Sequence, residues 1–127
     1  MVAGWKQEEL AAIGDAEELD LQSLGHDGSP HKPVTMWVVR VDDDIYVRSV
    51  NGRSSSWFRG AQTRHEAHIG VGAVEKAVEL VETDDAADAV DAAYQAKYGR
   101  RYPSIVPSIV APQARAATLK LIPKEDT

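Results

Sequence analysis

Short apolar runs separated by polar turns make up the middle of this 127-residue chain. Val34–Val41 (VTMWVVRV) is apolar and β-branched on both faces, which predicts a buried strand. After the acidic turn at 42–44, Ile45–Val50 returns as a second strand. His65–Gly72 and Ala117–Ile122 have the same pattern. The sequence therefore predicts a sheet of several short strands.

Two other segments have the apolar spacing of helices. Trp5–Ile13 places Leu10 and Ile13 on one face, and Gly14 is a suitable C-terminal stop. Asp84–Tyr98 is the clearest helix, with Thr83 or Asp84 available as its N-terminal cap. Its apolar stripe and its C-terminal stop consist of Ala87, Val90, Tyr94, Lys97 and Gly99.

Residues 73–82 (AVEKAVELVE) are compatible with both a helix and an edge strand. Periodicity alone favours the helix, because four apolar side chains recur at helical spacing. With strands and helices both present, the pattern predicts an α+β fold in a single domain covering 1–127.

The strand Ile45–Val50 has two different faces. Ile45, Val47 and Ser49 share one face, and Tyr46, Arg48 and Val50 share the other. An arginine at an interior position must find an anion or a carboxylate, because a buried unpaired charge is costly. Asn51–Gly52 then signals a tight turn, and Ser54–Ser56 can cap a short helix that carries Trp57.

Composition excludes several classes of function. The formal charge of −6 argues against a nucleic-acid partner, which requires a basic face. Without cysteine there is no disulfide, thiolate metal site or cysteine nucleophile. No apolar run approaches the roughly 20 residues that span a bilayer, and the first residues lack a signal-peptide pattern. We therefore expect a cytoplasmic protein with no membrane partner.

Arginines cluster in one part of the chain, at positions 40, 48, 53, 59 and 64. The planar guanidinium suits phosphate and carboxylate ligands, so the cluster is compatible with an anion site. The alternative is that these arginines are solvated strand and loop residues, balanced by the acidic turn at 42–44 and by Glu66.

Familiar catalytic motifs are absent. The segment His65–His68 (HEAH) is one residue shorter than the zinc-binding helix motif, and on a strand its two histidines would face opposite sides, so we predict no metal. Gly70–Gly72 (GVG) lacks the third glycine of a dinucleotide fingerprint.

A softer set of signals surrounds the turn at Asn51–Gly52. Arginines, hydroxyls and backbone N–H groups are what a phosphate site needs, and a tryptophan can lie against a planar ring. The residues concerned are Arg48, Ser49, Arg53, Ser54–Ser56 and Trp57. The alternative is a hairpin in which Trp57 and Phe58 simply fill the core.

Several stretches resemble a small bacterial family of unknown function, DUF2255. They include TMWVVRVDDDIYVRSVNGRSSSWFRGA, DAAYQAKYGRRYPSIV and ARAATLKLIPK, and the resemblance extends from Trp5 to Pro123. More distantly, the order of elements resembles the split-barrel proteins that bind flavins or deazaflavins. This resemblance implies a split β-barrel with flanking helices, and it makes residues 73–82 a strand, because the barrel needs that strand to close.

The split-barrel resemblance also implies a site. A strand like Ile45–Val50 leads there into a turn that holds the cofactor phosphate, so the resemblance implies cofactor contacts by Arg48, Ser49, Arg53 and Trp57. It implies FMN or a deazaflavin as the cofactor, and a homodimer formed through Val34–Val39.

Two functions from different classes follow. The first is a flavin- or deazaflavin-dependent oxidoreductase acting on a small molecule, with hydride chemistry supplied by the cofactor. Its catalytic residues are unknown, and His26 and His31 are candidates for substrate contacts. The second is a non-enzymatic split-barrel module without cofactor that binds a small ligand or a protein. A hydrolase or cyclase using His26 or His65 is a remoter alternative.

Overall fold

The computed structural model describes residues 5–23, 29, 32–50, 52, 58–59, 62, 65–72, 74–83 and 86–124. Within these residues, one antiparallel sheet consists of β1 (Leu19–Ser23), β2 (Val34–Met36), β3 (Val39–Val41), β4 (Asp44–Arg48), β5 (Glu66–Val71), β6 (Val74–Glu82) and β7 (Thr118–Pro123). The strands are ordered β2-β1-β5-β6-β7-β4-β3. The helices with fully described bounds are α1 (Gln7–Asp15), α2 (Ala87–Tyr98), α3 (Val106–Ile109) and α4 (Pro112–Arg115).

The sheet closes on itself because of the connection between β2 and β3. These strands are consecutive in sequence but lie at opposite edges of the sheet. Only Trp37 and Val38 join them, a distance of at most about 11 Å along the chain. The two edges must therefore meet, and the sheet curls into the split barrel that the resemblance implied.

The prediction of one continuous strand over Val34–Val41 was wrong. The chain leaves the sheet at Trp37 and Val38 and re-enters it at the other edge. Val38 is fully buried and the Trp37 ring is stacked on a helix residue, so both apolar side chains have packing sites outside a ladder.

Helix α1 packs its apolar face on the barrel interior. Leu10 and Ile13 are fully buried in the same cluster as Val47 and Leu119, as their shared face predicted. Gly14 does not end the helix, which continues to Asp15. The end of the helix comes at Ala16, whose backbone is extended.

Helix α2 covers the outside of the barrel. It ends at Gly99 as predicted and begins at Ala87, with Ala86 as its N-terminal cap instead of Thr83 or Asp84. The second core cluster lies under this helix and contains Val39, Tyr46, Val90, Tyr94 and Tyr98. The predicted faces of β4 are confirmed, because Ile45 and Val47 belong to the inner cluster and Tyr46 to the outer one.

Residues 74–82 form a strand, as the split-barrel resemblance implied and periodicity did not. β6 pairs with β5 across a tight connection containing Gly72, whose φ is +56°, and with β7 on its other side. In the described part of the chain, no helix is long and apolar enough to cross a membrane.

Candidate ligand cleft

A cleft of about 320 Å³ lies where β4 ends. One wall comes from β2 and the residues that follow it, and the other from the start and end of α3. The lining residues are Glu18, Val34, Thr35, Met36, Trp37, Arg48, Ser49, Val50, Ile105 and Ile109. Mostly apolar walls with a few polar groups are typical of small-molecule and cofactor sites.

Arg48 lines this cleft, but all three nitrogens of its guanidinium group already have hydrogen-bond partners. Its side chain is 0% exposed. Nε donates to Thr118 Oγ1 (2.9 Å), Nη1 donates to Asp91 and to the Ile109 carbonyl oxygen (3.1 Å), and Nη2 donates to the Ala87 carbonyl oxygen (3.0 Å). The expectation that an interior arginine must find a carboxylate is confirmed by Asp91. A cofactor phosphate would have to replace one of these partners to contact the guanidinium.

The carboxylate of Asp91 connects this arginine to a second one. Arg115 Nε lies 3.5 Å from Asp91 Oδ2, and its Nη2 lies 2.9 Å from Asp88 Oδ1. Asp91 is 19% exposed and Asp88 is 97% exposed, so the network runs from the buried side of β4 to the surface of α2. Positive and negative side chains alternate along this network, so the buried charge of Arg48 is compensated without a ligand.

Ser49 lies at the point where the chain leaves β4. It is 1% exposed and lines the cleft. Its N–H donates to the Ala117 carbonyl oxygen (3.1 Å), and its own carbonyl accepts the N–H of Gly52 (3.0 Å). Gly52 has a φ of +78°, which favours glycine. The predicted turn therefore directs the chain away from the sheet immediately beside the cleft.

The turn does not connect a hairpin. β4 pairs with β3 and β7, and the next described strand, β5, lies three strands away from it. The hairpin of the sequence alternative is therefore wrong, because the other edge of β4 is already occupied by the last strand of the chain. Its other part is confirmed for Phe58, which is fully buried in the inner core cluster, whereas Trp57 lies outside the described residues.

Several residues that the sequence singled out lie outside the described residues. Among the predicted cofactor contacts these are Arg53 and Trp57. The candidate substrate contacts His26 and His31 also lie there, as do Asn51 and Ser54–Ser56. Arg48 and Ser49 are adjacent in the described structure and both line the cleft.

Trp37 forms an aromatic wall that the sequence analysis missed. Its ring stacks on Tyr98 with centroids 4.1 Å apart and 4° between the planes, and Tyr102 lies 5.2 Å away. The signal was present in the spacing of Tyr94, Tyr98 and Tyr102, which recur every four residues. Trp57 was the predicted ring wall instead.

The hydroxyl of Tyr98 fixes this wall to the backbone. It donates to the Glu17 carbonyl oxygen (2.6 Å) and accepts the N–H of Val38 (3.2 Å). Burial raises the pKa of Tyr98 to about 12, which keeps the hydroxyl protonated as a donor. The segment Trp37–Val38, which joins the two sheet edges, is therefore held by α2.

The histidines of the HEAH segment do not converge with other ligands. His68 is an exposed residue of β5, and His65 precedes that strand with a φ of +59°. Among the residues with described positions, no group of three or more histidines and carboxylates could hold a metal ion.

Comparisons with known proteins identify a family and a fold. The model of a family described as an uncharacterized protein conserved in bacteria (DUF2255) matches residues 9–121. None of the curated proteins matches this chain.

Solved structures with a similar fold include three whose names mention a ligand. An FAD-binding protein from Mesorhizobium loti is 15% identical with a TM-score of 0.60, covering 98% of this chain and 94% of its own. An F420 reductase is 13% identical with a TM-score of 0.59, covering 91% and 92%. HutZ, a heme storage protein from Vibrio cholerae, is 14% identical with a TM-score of 0.64, covering 94% and 91%.

Proposed function

The chain belongs to the DUF2255 family and folds as a split barrel, and from this premise we propose that its cleft binds a flavin or a deazaflavin and that the protein is an oxidoreductase. The observation that carries the proposal is the cleft at the end of β4, with mostly apolar walls and with Arg48 and Ser49 among its lining residues. The names of similar structures, an F420 reductase and an FAD-binding protein, support the same ligand class.

The proposed roles divide the cleft into a ring site and a phosphate site. Trp37, held by its stack on Tyr98, offers a flat apolar surface to a planar ring. Ser49 places its hydroxyl at the phosphate end of the cleft. Arg53 and Trp57 remain predicted contacts. A bound flavin or deazaflavin would supply hydride transfer, and the protein would orient it.

We assign Arg48 a positioning role. Its hydrogen bonds connect β4 to β7, α2 and α3. The guanidinium thus holds together the elements that border the cleft, whether or not it also contacts a phosphate.

The internal hydrogen bonds of Arg48 favour a second function. Because Arg48 already has internal partners, the cleft does not need an anion to compensate a buried charge. A non-enzymatic split-barrel module, using the cleft for an uncharged small ligand or a protein partner, is therefore the alternative proposal.

Titration of the purified full-length protein separates the two. FMN, FAD or an F420-type deazaflavin should bind with a change in absorption or fluorescence and should raise the melting temperature. A ligand at one hundred times its Kd stabilises a protein by about 2.7 kcal/mol. If no flavin or deazaflavin binds, the oxidoreductase proposal fails. Binding of heme alone would also overturn it.

FMN and riboflavin together test the phosphate site, because they differ only by the phosphate. If Ser49 or Arg48 binds phosphate, Ser49→Ala or Arg48→Ala should weaken FMN binding at least tenfold, which corresponds to about 1.4 kcal/mol, and leave riboflavin unchanged. Equal losses for both ligands would show a positioning role. Unchanged FMN affinity would remove the substituted residue from the site.

The rim of the cleft offers variants with little risk to folding. Val50 and Ile105 are large apolar residues that are 46% and 48% exposed. Ile105→Asp should weaken cofactor binding at least tenfold, because it places a hydrated carboxylate at the apolar rim. Gln95→Glu, on an exposed position of α2, adds the same charge elsewhere and should leave affinity unchanged.

We propose that a second copy of the chain covers this apolar rim, as the predicted homodimer requires. The rim continues into Val34–Trp37, part of the segment that the sequence predicted for the dimer surface. Sedimentation of the full-length protein should give twice the monomer mass, and Val50→Asp should shift it toward the monomer. A monomer at all concentrations would contradict the proposal.

A further inference from the structure

A second cavity, of about 390 Å³, lies between α1, β3 and α2. It is lined by Leu10, Ala11, Gly14, Asp15, Val39, Arg40, Ala93, Ala96 and Lys97. None of these residues lines the cleft at the end of β4. Small side chains from the two helices leave the space open, and two cations and one carboxylate border it.

Lys97 reaches this cavity with few polar partners. Its Nζ donates to the Val38 carbonyl oxygen (2.7 Å) and lies 5.2 Å from the centroid of the Tyr98 ring. By contrast, Lys76, Lys120 and Lys124 each have a carboxylate within 4.0 Å. Among the described residues, no carboxylate forms such an ion pair with Lys97.

The surroundings of Lys97 favour its neutral amine. Burial lowers the pKa of Lys97 to about 8, against the opposing influence of Asp15 and Glu17. With that value about one tenth of the amine is neutral at pH 7, compared with about one in three thousand for an ordinary lysine. Only the neutral amine is a nucleophile.

Arg40 places a second cation at the same cavity. Its Nε donates to the Asp42 carbonyl oxygen (2.7 Å), and its Nη2 lies 3.9 Å from Asp43 Oδ1, at the limit of an ion pair. Its side chain is 34% exposed, so the guanidinium retains access to an anion. A small donor with one anionic end and one electrophilic end could therefore contact Arg40 and Lys97 together.

We propose that Lys97 is an acylation site and that its acyl donors are small acyl phosphates. The Lys97 nitrogen attacks the carbonyl carbon of the donor, a C–N bond forms, and the C–O bond to phosphate breaks. Inorganic phosphate leaves with the bonding electron pair, and the nitrogen loses its proton to solvent. Arg40 holds the phosphate of the donor.

Burial favours this product. The amide is uncharged, so acylation removes the desolvation penalty of the ammonium ion at this position. The remaining N–H can still donate to the Val38 carbonyl. The reaction therefore needs no rearrangement of the backbone around Val38.

The test incubates the full-length protein with acetyl phosphate and measures acetylation of each lysine by peptide mass spectrometry. At pH 7.4 Lys97 should react at least tenfold faster than the exposed Lys32, and its rate should level off above about pH 8. Burial lowers this midpoint, and the carboxylates of Asp15 and Glu17 oppose the shift. Arg40, on β3, is the other charged group that borders the cavity. Equal rates for Lys97 and Lys32 would overturn the proposal.

Arg40→Gln separates donor binding from amine reactivity. It should slow acetylation of Lys97 by acetyl phosphate several-fold but leave its reaction with an uncharged activated acetyl ester unchanged, because burial and not Arg40 lowers the pKa of Lys97. If both reagents slow equally, Arg40 does not hold the phosphate. If neither reagent labels Lys97 in the wild-type protein, the site is not reactive and the proposal fails.

Discussion

Two tyrosines one turn apart on α2 have different hydrogen bonding despite equal burial. Tyr94 and Tyr98 are 0% and 1% exposed. The Tyr98 hydroxyl bonds to the backbone of Glu17 and Val38, whereas within the described residues the Tyr94 hydroxyl has no partner. Burial raises the pKa of both hydroxyls. Burial raises the pKa of Tyr94, and the charge and backbone of Arg48 oppose that shift, but no hydrogen bond of normal geometry satisfies its hydroxyl among the described residues.

The matched substitutions to phenylalanine should therefore have different effects on stability. Tyr98→Phe should lower the free energy of unfolding by about 1–3 kcal/mol, because it leaves the buried N–H of Val38 without its acceptor. Tyr94→Phe should be neutral or stabilising by up to about 1 kcal/mol. Urea denaturation of the two variants gives both values. Equal losses would show that Tyr94 has a buried partner, such as a water molecule.

At the residue scale, the sequence predicted that Arg48 requires an anionic partner but did not predict which residue provides it. Interior placement of Arg48 on an apolar strand required a carboxylate, and one is present. That it is Asp91 depends on how α2 crosses the outer face of β4, and the spacing of residues along the chain contains no such information. The role of Trp37 was missed for the same reason, because its contacts are made by a distant helix.

At the scale of elements, the exit from β4 depends on close contact between Gly52 and α4. A Cβ atom at Gly52 would lie 2.6 Å from Gln113 Cγ, and the residue has a φ of +78°. Gln113 Nε2 in turn donates to the Val50 carbonyl oxygen (3.0 Å). The turn beside the cleft and the short helix before β7 are thus built against each other.

Gly52→Ala should destabilise the protein by at least about 1 kcal/mol, because an L side chain is strained at this φ and meets Gln113. The control is Gly70→Ala in β5, where no described atom lies within 4 Å of the added Cβ. That variant should be neutral or stabilising by about 0.5–1 kcal/mol. Thermal and urea unfolding of the pair test the contrast, which would be refuted if Gly52→Ala were as stable as the wild type.

The limits of sequence prediction for these elements have a physical basis. The alternation of β4 identified its two faces correctly, because a side chain's face depends only on local geometry. The same local pattern could not distinguish one strand over Val34–Val41 from two short strands at opposite edges. Residues 73–82 satisfied both periods, and their identity as a strand depends on β5 and β7 as partners.

At the scale of the whole molecule, the outer layer formed by α2 makes the stability of the fold depend on pH in the alkaline range. Lys97 and Tyr98 both lie on α2 and contact the Val38 backbone, but burial shifts their pKa values in opposite directions. Both shifts favour the uncharged side chain in the folded state.

The titrations of Lys97 and Tyr98 therefore change the stability of the protein in different pH ranges. Lys97 titrates at about 8 when folded and near 10.5 when unfolded, so between these values the unfolded chain binds more protons and stability rises with pH. Tyr98 titrates at about 12 when folded and near 10.0 when unfolded, so its stabilisation is complete below pH 10 and is lost as pH rises toward 12. Together they predict maximum stability from this layer at about pH 10.

Urea denaturation at pH 7, 9.5 and 11.5 tests this profile in the wild type and in two variants that each remove one titration. Lys97→Met should abolish the gain between pH 7 and 9.5, because no ammonium ion remains to be discharged. Tyr98→Phe should reduce the loss between pH 9.5 and 11.5, with the remaining loss coming from Tyr94 and Tyr102, whose pKa values are also raised in the folded protein. A wild-type stability that falls steadily from pH 7 to 9.5, with Lys97→Met following the same curve, would mean that the Lys97 ammonium ion is as well solvated in the folded protein as in the unfolded chain. That result would also contradict the reactive amine proposed for the second cavity, whereas the flavin-binding proposal for the cleft would stand.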